Sequence, residues 1–350
     1  MPPHSLMLNN GYTYIDRITR AHAGVTVLDY YAARHGHFSR EEWRARIDAG
    51  AVTSAGASLA CEDLLAPGMM LAYAREPWVE PDVSTDIPIL YSDDHVMVFD
   101  KPDGIPVLPG GLFLEHTMVH MLRARHGADL APLHRLGRGT TGVILFTRTR
   151  EAAAVFSAMM RARALEKTYL ALVLGCGMPD AFTIDAPIGR VPHPRLGSIH
   201  DVTPAGKPST SHVTVLARNA SHNTSVVQVV IPTGRTHQIR IHLASAGWPL
   251  LGDRFYRGTG AAHTGDLLPP ANPGDPGYIL HSWTLRYTDP FAHELREITA
   301  PVRPEIRARL EAQFGHGGGF EVARIDGRTE VQADHEEHHD DSEHDPEQHR

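Results

Sequence analysis

Nine consecutive residues, His134-Arg135-Leu136-Gly137-Arg138-Gly139-Thr140-Thr141-Gly142, set two guanidinium groups among three glycines, directly before the apolar run Val143-Ile144-Leu145-Phe146. Arginine offers a fixed fork of donors suited to a phosphate or a base edge. Glycine permits positive φ and the close approach of another group. The stretch reads as a loop opening into a buried strand; the alternative is a tight turn carrying two surface arginines. A phosphate loop of the Walker kind is excluded, because the Gly-Lys-Ser/Thr ending is absent. A second cluster, Thr233-Gly234-Arg235-Thr236-His237-Gln238-Ile239-Arg240-Ile241-His242, is followed by Leu243, Ala246 and Gly247. Ile239, Leu243 and Ala246 have helical spacing, so this is a strand end turning into a helix that Gly247 caps. Free N–H groups at that helix start, with Arg235 beside them, make a natural anion site. His237 and His242 are five apart and do not share a helical face, which argues against zinc. A third piece, Lys167-Thr168-Tyr169-Leu170-Ala171, puts a tyrosine in an alternating strand, where a core aromatic is the ordinary reading.

Taken in chain order these pieces become more specific. Lys101-Pro102-Asp103-Gly104, His134-Arg135-Leu136 with Thr140-Thr141-Gly142, Lys167 to Ala171, Thr233 to Arg240, Leu251-Gly252-Asp253 with Tyr256, and Leu280-His281 span residues 89–290. That series resembles the RluA-type RNA pseudouridine synthases, whose central motif reads His-Arg-Leu-Asp-x-x-Thr-Ser-Gly. The family's catalytic aspartate falls on Gly137. The resemblance implies an enzyme that flips a uridine out of folded rRNA or tRNA, breaks its glycosidic bond, rotates the base and rejoins it through carbon. Neither cofactor nor metal takes part. Flipping costs stacking energy that an inserted side chain can offset, and by motif position that side chain would be Arg135. Tyr169 would stack on the base and act in the proton steps. Arg235 would orient the carboxylate, with Arg240 the alternative. His134, Arg138, Thr140, Lys101, His237 and Arg240 would contact the RNA.

The aspartate of such a site serves as nucleophile or general base, and Gly137 has no side chain to do either. Losing a nucleophile commonly costs several orders of magnitude in rate. Three readings follow. Another acid reaches the site, Asp103 first because its loop should line the cleft, and Asp253 second. Alternatively the cleft holds RNA without isomerising it, or it performs a different reaction on a nucleotide. With glycine at 137, Arg235 would lose its expected ion-pair partner, which is unfavourable in a buried cleft unless another anion, such as an RNA phosphate, arrives.

The elements that must position these residues are legible in outline. Extended runs are expected at 89–91, 96–99, 143–147, 168–174, 212–216, 225–231 and 279–287, with helices near 116–126 and 150–163. Strands joined through hairpins and irregular loops, with helices outside, imply an α+β core on a mixed, largely antiparallel sheet. Residues 12–76 read as a small helical unit with a strand ending. Ser39 and Glu42 have capping-box spacing, Trp43 and Ile47 share a helical face, and Ala49-Gly50-Ala51 stops the helix. This unit resembles the αL-type RNA-binding domain, with Ser54-Ala55-Gly56 in place of its Asn-Gly turn. Arg40 and Arg44 lie on one helical face and could touch phosphates, or be solvated helix arginines. The expected organisation is therefore 1–76 as an αL-type domain, 77–88 as a proline-punctuated linker, 89–314 as the catalytic domain, and 315–350 as a Gly-rich linker and disordered tail.

Net charge is −8, yet residues 331–350 hold eight acids and one base, while residues 123–167 hold nine Lys/Arg against three acids. A basic middle is compatible with phosphate contacts. The tail is too polar to bury a core; its histidines (335, 338, 339, 344 and 349) suit a solvated segment better than a metal site. Cys61 and Cys176 are far apart, which excludes a disulfide framework and fits a reducing cytoplasm. No apolar run approaches the roughly 20 residues of a membrane span, and residues 1–10 lack a signal-peptide profile. A cytoplasmic monomer whose partner is RNA is the expectation.

Overall fold

The computed structural model describes residues 8–35, 38–257 and 271–315. Apart from Gly315, the expected acidic tail lies outside the described residues. The N-terminal module pairs four antiparallel strands in the order Tyr12–Arg17, Met70–Arg75, Val52–Ser54, Ala57–Ser58. Helices Val27–Arg34 and Arg40–Asp48 pack with them. The capping box is formed: the Ser39 hydroxyl accepts from the Glu42 N–H, and the Glu42 carboxylate accepts from the Ser39 N–H. Trp43 and Ile47, one turn apart, enter a core with Tyr31 and Tyr73. Ala55 and Gly56 both have positive φ, +48° and +84°, the requirement of a two-residue hairpin turn. The edge strand Tyr12–Arg17 was not expected from the sequence, and its mostly exposed residues explain why: no face alternates.

Residues 77–88 connect the modules, and they are docked rather than loose. Glu80 is buried and accepts hydrogen bonds from the Leu114, Glu115 and His116 N–H groups and the Asn9 side chain. Burial alone would raise its pKa, but these bonds hold it below the ordinary carboxylate value. Proline spacing made the stretch look like a linker; one carboxylate satisfying a whole loop end fixes it in place.

The larger module is built on a ten-stranded sheet. Its path runs Ala181–Asp185, Thr210–Asn219, Thr224–Val230, Glu166–Leu174, Leu280–Thr288, Thr140–Thr147, Val96–Lys101, Ile89–Ser92, with Leu295–Thr299 and Ala131–Pro132 attached. Pairing is antiparallel except where Leu280–Thr288 runs parallel to Thr140–Thr147, so the sheet is mixed and largely antiparallel as expected. The Thr140–Thr147 strand is buried along its whole length, consistent with its apolar run and its central position. Gly142, at φ +96°, lies where a Cβ would strike the Ser282 carbonyl; the parallel junction therefore requires glycine. Helix Arg150–Arg161 starts on the Thr149 cap and buries Ala152 and Phe156, four apart, on the sheet. The strands Ala181–Asp185, Ile188–His193 and Gly197–Val202 and the C-terminal helix Pro304–Phe314 add to the expected set.

Candidate functional site

At the parallel junction the ends of three strands and the start of helix Gln238–Ser245 surround a cleft of about 610 Å³. It continues into a smaller recess of about 80 Å³. Arg135, Leu136, Gly137, Tyr169, Ile231, Arg235 and His237 line both. Segments 134–142, 167–171 and 233–240, far apart in sequence, thus converge on one cavity.

Tyr169 sits on the Glu166–Leu174 strand opposite Ser282. It is buried, and burial pushes its phenol up to about 12 despite a hydrogen bond from Ser282. It presents a neutral aromatic face to the cavity. The exposed Arg135 donates to the Thr236 hydroxyl at 3.2 Å, which ties the central loop to the loop before the helix. Arg235 donates twice to the Pro208 carbonyl, at 3.2 and 3.1 Å. Gln238 holds the turn beneath it, accepting from the Thr233 hydroxyl and the Arg235 N–H. His237 is the helix N-cap at φ +56° and makes no side-chain cap; its Nδ1 is 3.1 Å from the Tyr256 hydroxyl. Burial, with Arg240 nearby, lowers its pKa to about 3. Burial and the neighbouring Lys167 do the same to His134, whose Nε2 accepts from the Leu145 N–H at 3.4 Å. Both imidazoles are therefore neutral near pH 7.

Several residues expected to contact RNA are engaged within the protein, and Thr140 and Arg240 among them line the recess. Lys101 is fully buried and donates to the carbonyls of Pro102, Arg138 and Thr140 at 3.0, 2.9 and 2.8 Å. Burial lowers its pKa to about 7; it fastens two loops together and does not line the cleft. Arg138 is drawn away to the Gly274 carbonyl and to Asp275 at 3.7 Å. Arg240 is buried and pairs with Asp253 through two bonds of 2.6 and 2.9 Å. Thr140 is buried at the recess, 3.4 Å from the Tyr278 hydroxyl. Arg40 and Arg44 are exposed and face Asp29 at 2.6 Å and Glu62 at 3.5 Å.

Neither candidate acid lines the cleft. Asp103 is exposed, accepts from the Gly104 N–H at 2.8 Å and does not line the cleft. Its loop reaches the central stretch through the Arg138 carbonyl, with the side chain turned outward. Asp253 is spent on Arg240 and on the Phe255 and Tyr256 N–H groups. Among the described residues no carboxylate lies within 4 Å of Arg235, and none lines the cleft.

Two lining residues were not assigned a role from sequence. Lys167 is buried in the cleft wall with no acceptor among the described residues; burial and nearby Arg235 lower its pKa to about 8. It stood inside a recognised motif two residues before Tyr169, a strand spacing that puts both side chains on one face and could have signalled it. Tyr278 closes the recess beside Gly137, and nothing in its sequence context marks it.

The sequence profile of the RNA pseudouridylate synthase family matches residues 95–245. This chain belongs to that family. It is similar to a Synechocystis protein described as an uncharacterized RNA pseudouridine synthase, 39% identical over 80% of this chain and 95% of that protein. It is also similar to RNA pseudouridine synthase 5 of Arabidopsis thaliana, 33% identical over 87% of this chain and 96% of that one. Ribosomal large subunit pseudouridine synthase D of Pseudomonas aeruginosa is 35% identical over 66% and 73%. Among solved structures, human RNA pseudouridylate synthase domain containing 1 superposes with a TM-score of 0.52, at 25% identity over 65% of this chain and 89% of that one. Among the described residues no helix is long and apolar enough to cross a membrane.

Proposed function

We propose that this protein acts on structured RNA, ribosomal or transfer, as a pseudouridine synthase that draws a uridine out of its stack and isomerises it in the cleft between residues 134–142, 167–171 and 233–240. The observation that supports this is the convergence of Arg135, Tyr169 and Arg235 on one cavity. Arg135 is at the exposed rim, where a cation can enter the vacated stack. Tyr169 offers a neutral face for base stacking, and Arg235 and Lys167 supply cations for phosphate. A monomer acting in the cytoplasm without metal or cofactor belongs to the same reading.

A second reading, uridine binding without isomerisation, is favoured by the lack of any carboxylate along the described cleft wall. One experiment separates them. Purified protein is incubated with rRNA and tRNA, and pseudouridine is mapped by mass spectrometry, alongside cellular RNA with and without the gene. A site-specific gain in the tube and loss in the cell supports isomerisation. RNA bound but chemically unchanged replaces it with the second reading.

A further inference from the structure

The space beside Gly137 is occupied. An ideal Cβ on Gly137 would lie 3.0 Å from the Tyr278 hydroxyl and 3.3 Å from Thr140 Oγ1. Two residues on, a Cβ on Gly139 would lie 2.8 Å from Pro276 Cα and 3.2 Å from Tyr278 Cζ. Neither glycine serves a left-handed backbone, so what each supplies is room, and both open onto the same segment, 276–278. That segment is fixed from its other side, where a Cβ on Gly252 would strike the Gly277 carbonyl. Tyr278 is 4% exposed. The Arg240 guanidinium carbon lies 4.3 Å from its ring centroid, and Arg240 is itself clamped by Asp253. The phenol is therefore held on one face by Arg240 and at its tip by the Thr140 hydroxyl. Burial raises its pKa, with Arg240 opposing, so the group is an uncharged hydroxyl.

We propose that Tyr278 fills the place left by the missing side chain at position 137, so that a neutral phenol hydroxyl meets the flipped uridine where the resembled family carries an anion. This rests on the reading of the cleft as a uridine site. A phenol both donates and accepts a hydrogen bond, whereas a carboxylate only accepts. Tyr278 is thus a ligand-recognising residue, and positions 137 and 278 are one coupled unit. A carboxylate at 137 and a hydroxyl at 278 compete for the same space, and overpacking of that kind is destabilising.

The test compares wild type with Tyr278→Phe, Gly137→Asp and the double variant. Melting temperature in the absence of RNA reports the shared space. Gly137→Asp should lower it, and adding Tyr278→Phe should recover most of the loss, a non-additive cycle. Additive effects would overturn the coupling. Binding is measured to an RNA hairpin with one unpaired uridine and to the same hairpin with an abasic site there. Tyr278→Phe should reduce the preference for the uridine hairpin by roughly tenfold, the scale of one lost hydrogen bond. An unchanged preference in that isosteric variant overturns the recognition role. A wild type that shows no preference ends the uridine reading itself, and the melting cycle still decides whether the two positions exclude each other.

Discussion

Arginines on the small module and arginines in the cleft carry the same charge in different circumstances. Arg40 and Arg44 each face a carboxylate, Asp29 and Glu62. Arg235 faces a backbone carbonyl and Arg135 a threonine hydroxyl, while Lys167 in the same cleft wall has no acceptor among the described residues. A carbonyl or hydroxyl satisfies a donor without cancelling its charge. The cleft therefore keeps positive charge that an RNA phosphate can neutralise, and the helix face of the small module has spent its own. Arg240 is the instructive intermediate. It lines the recess, yet its charge is already paired with the buried Asp253.

The largest expected effect tests that last distinction. Removing one partner of a buried ion pair leaves an uncompensated charge and typically costs about 3–5 kcal/mol. Asp253→Ala should therefore lower the unfolding free energy in urea by about that much, with the other Asp253 bonds to Phe255 and Tyr256 lost as well. A loss under about 1 kcal/mol would mean that Arg240 is not held as the geometry indicates.

Arg235→Ala and Arg135→Ala come next. Charged hydrogen bonds contribute about 1.5–3 kcal/mol, so each variant should weaken RNA binding roughly tenfold or more while leaving the melting temperature nearly unchanged. The slope of log affinity against log salt should fall by about 0.7 for each single-strand phosphate that the variant no longer neutralises. Unchanged slopes would remove these side chains from phosphate recognition.

A smaller, pH-dependent effect isolates Lys167. Its ammonium is charged below a folded-state value of about 8 and neutral above it. RNA affinity should thus decline as pH rises from 7 to 9, and Lys167→Met should flatten that decline. His134 and His237, lowered to about 3, contribute no change between pH 5 and 7. A decline that survives in Lys167→Met would assign the titration elsewhere.

What the sequence disclosed follows from these contrasts. The buried strand at 143–147, the helix after His237 and the capping box at Ser39 were readable because apolar periodicity and cap chemistry are local. The cleft was readable as a set of motifs whose order matched a family. Pairing was not: nothing local to Arg240 reveals Asp253, and nothing in Lys101-Pro102-Asp103-Gly104 shows that the lysine turns inward and the aspartate outward. Tyr278 was invisible for a different reason. Its significance lies in filling a space that two glycines, over a hundred residues earlier, leave open, and only tertiary packing shows this.

The smallest effect concerns the small module. Arg40→Ala with Arg44→Ala removes two exposed cations whose carboxylate partners lie beside them. Exposed pairs contribute little to stability, because solvent and salt screen them, so the melting temperature should barely move. If the pairs persist in the complex, RNA affinity should change by less than about threefold, against the roughly tenfold expected for Arg135→Ala. The Arg40–Asp29 contact is the critical one, since at 2.6 Å it is the tighter of the two. Asp29→Asn sharpens the result by releasing Arg40 without removing it. Were its charge merely masked in the free protein, that variant would bind RNA more tightly than wild type. A double arginine variant that lost tenfold, together with a tighter Asp29→Asn, would show that RNA opens these pairs. The small module would then be a second phosphate-binding surface rather than a support for the cleft.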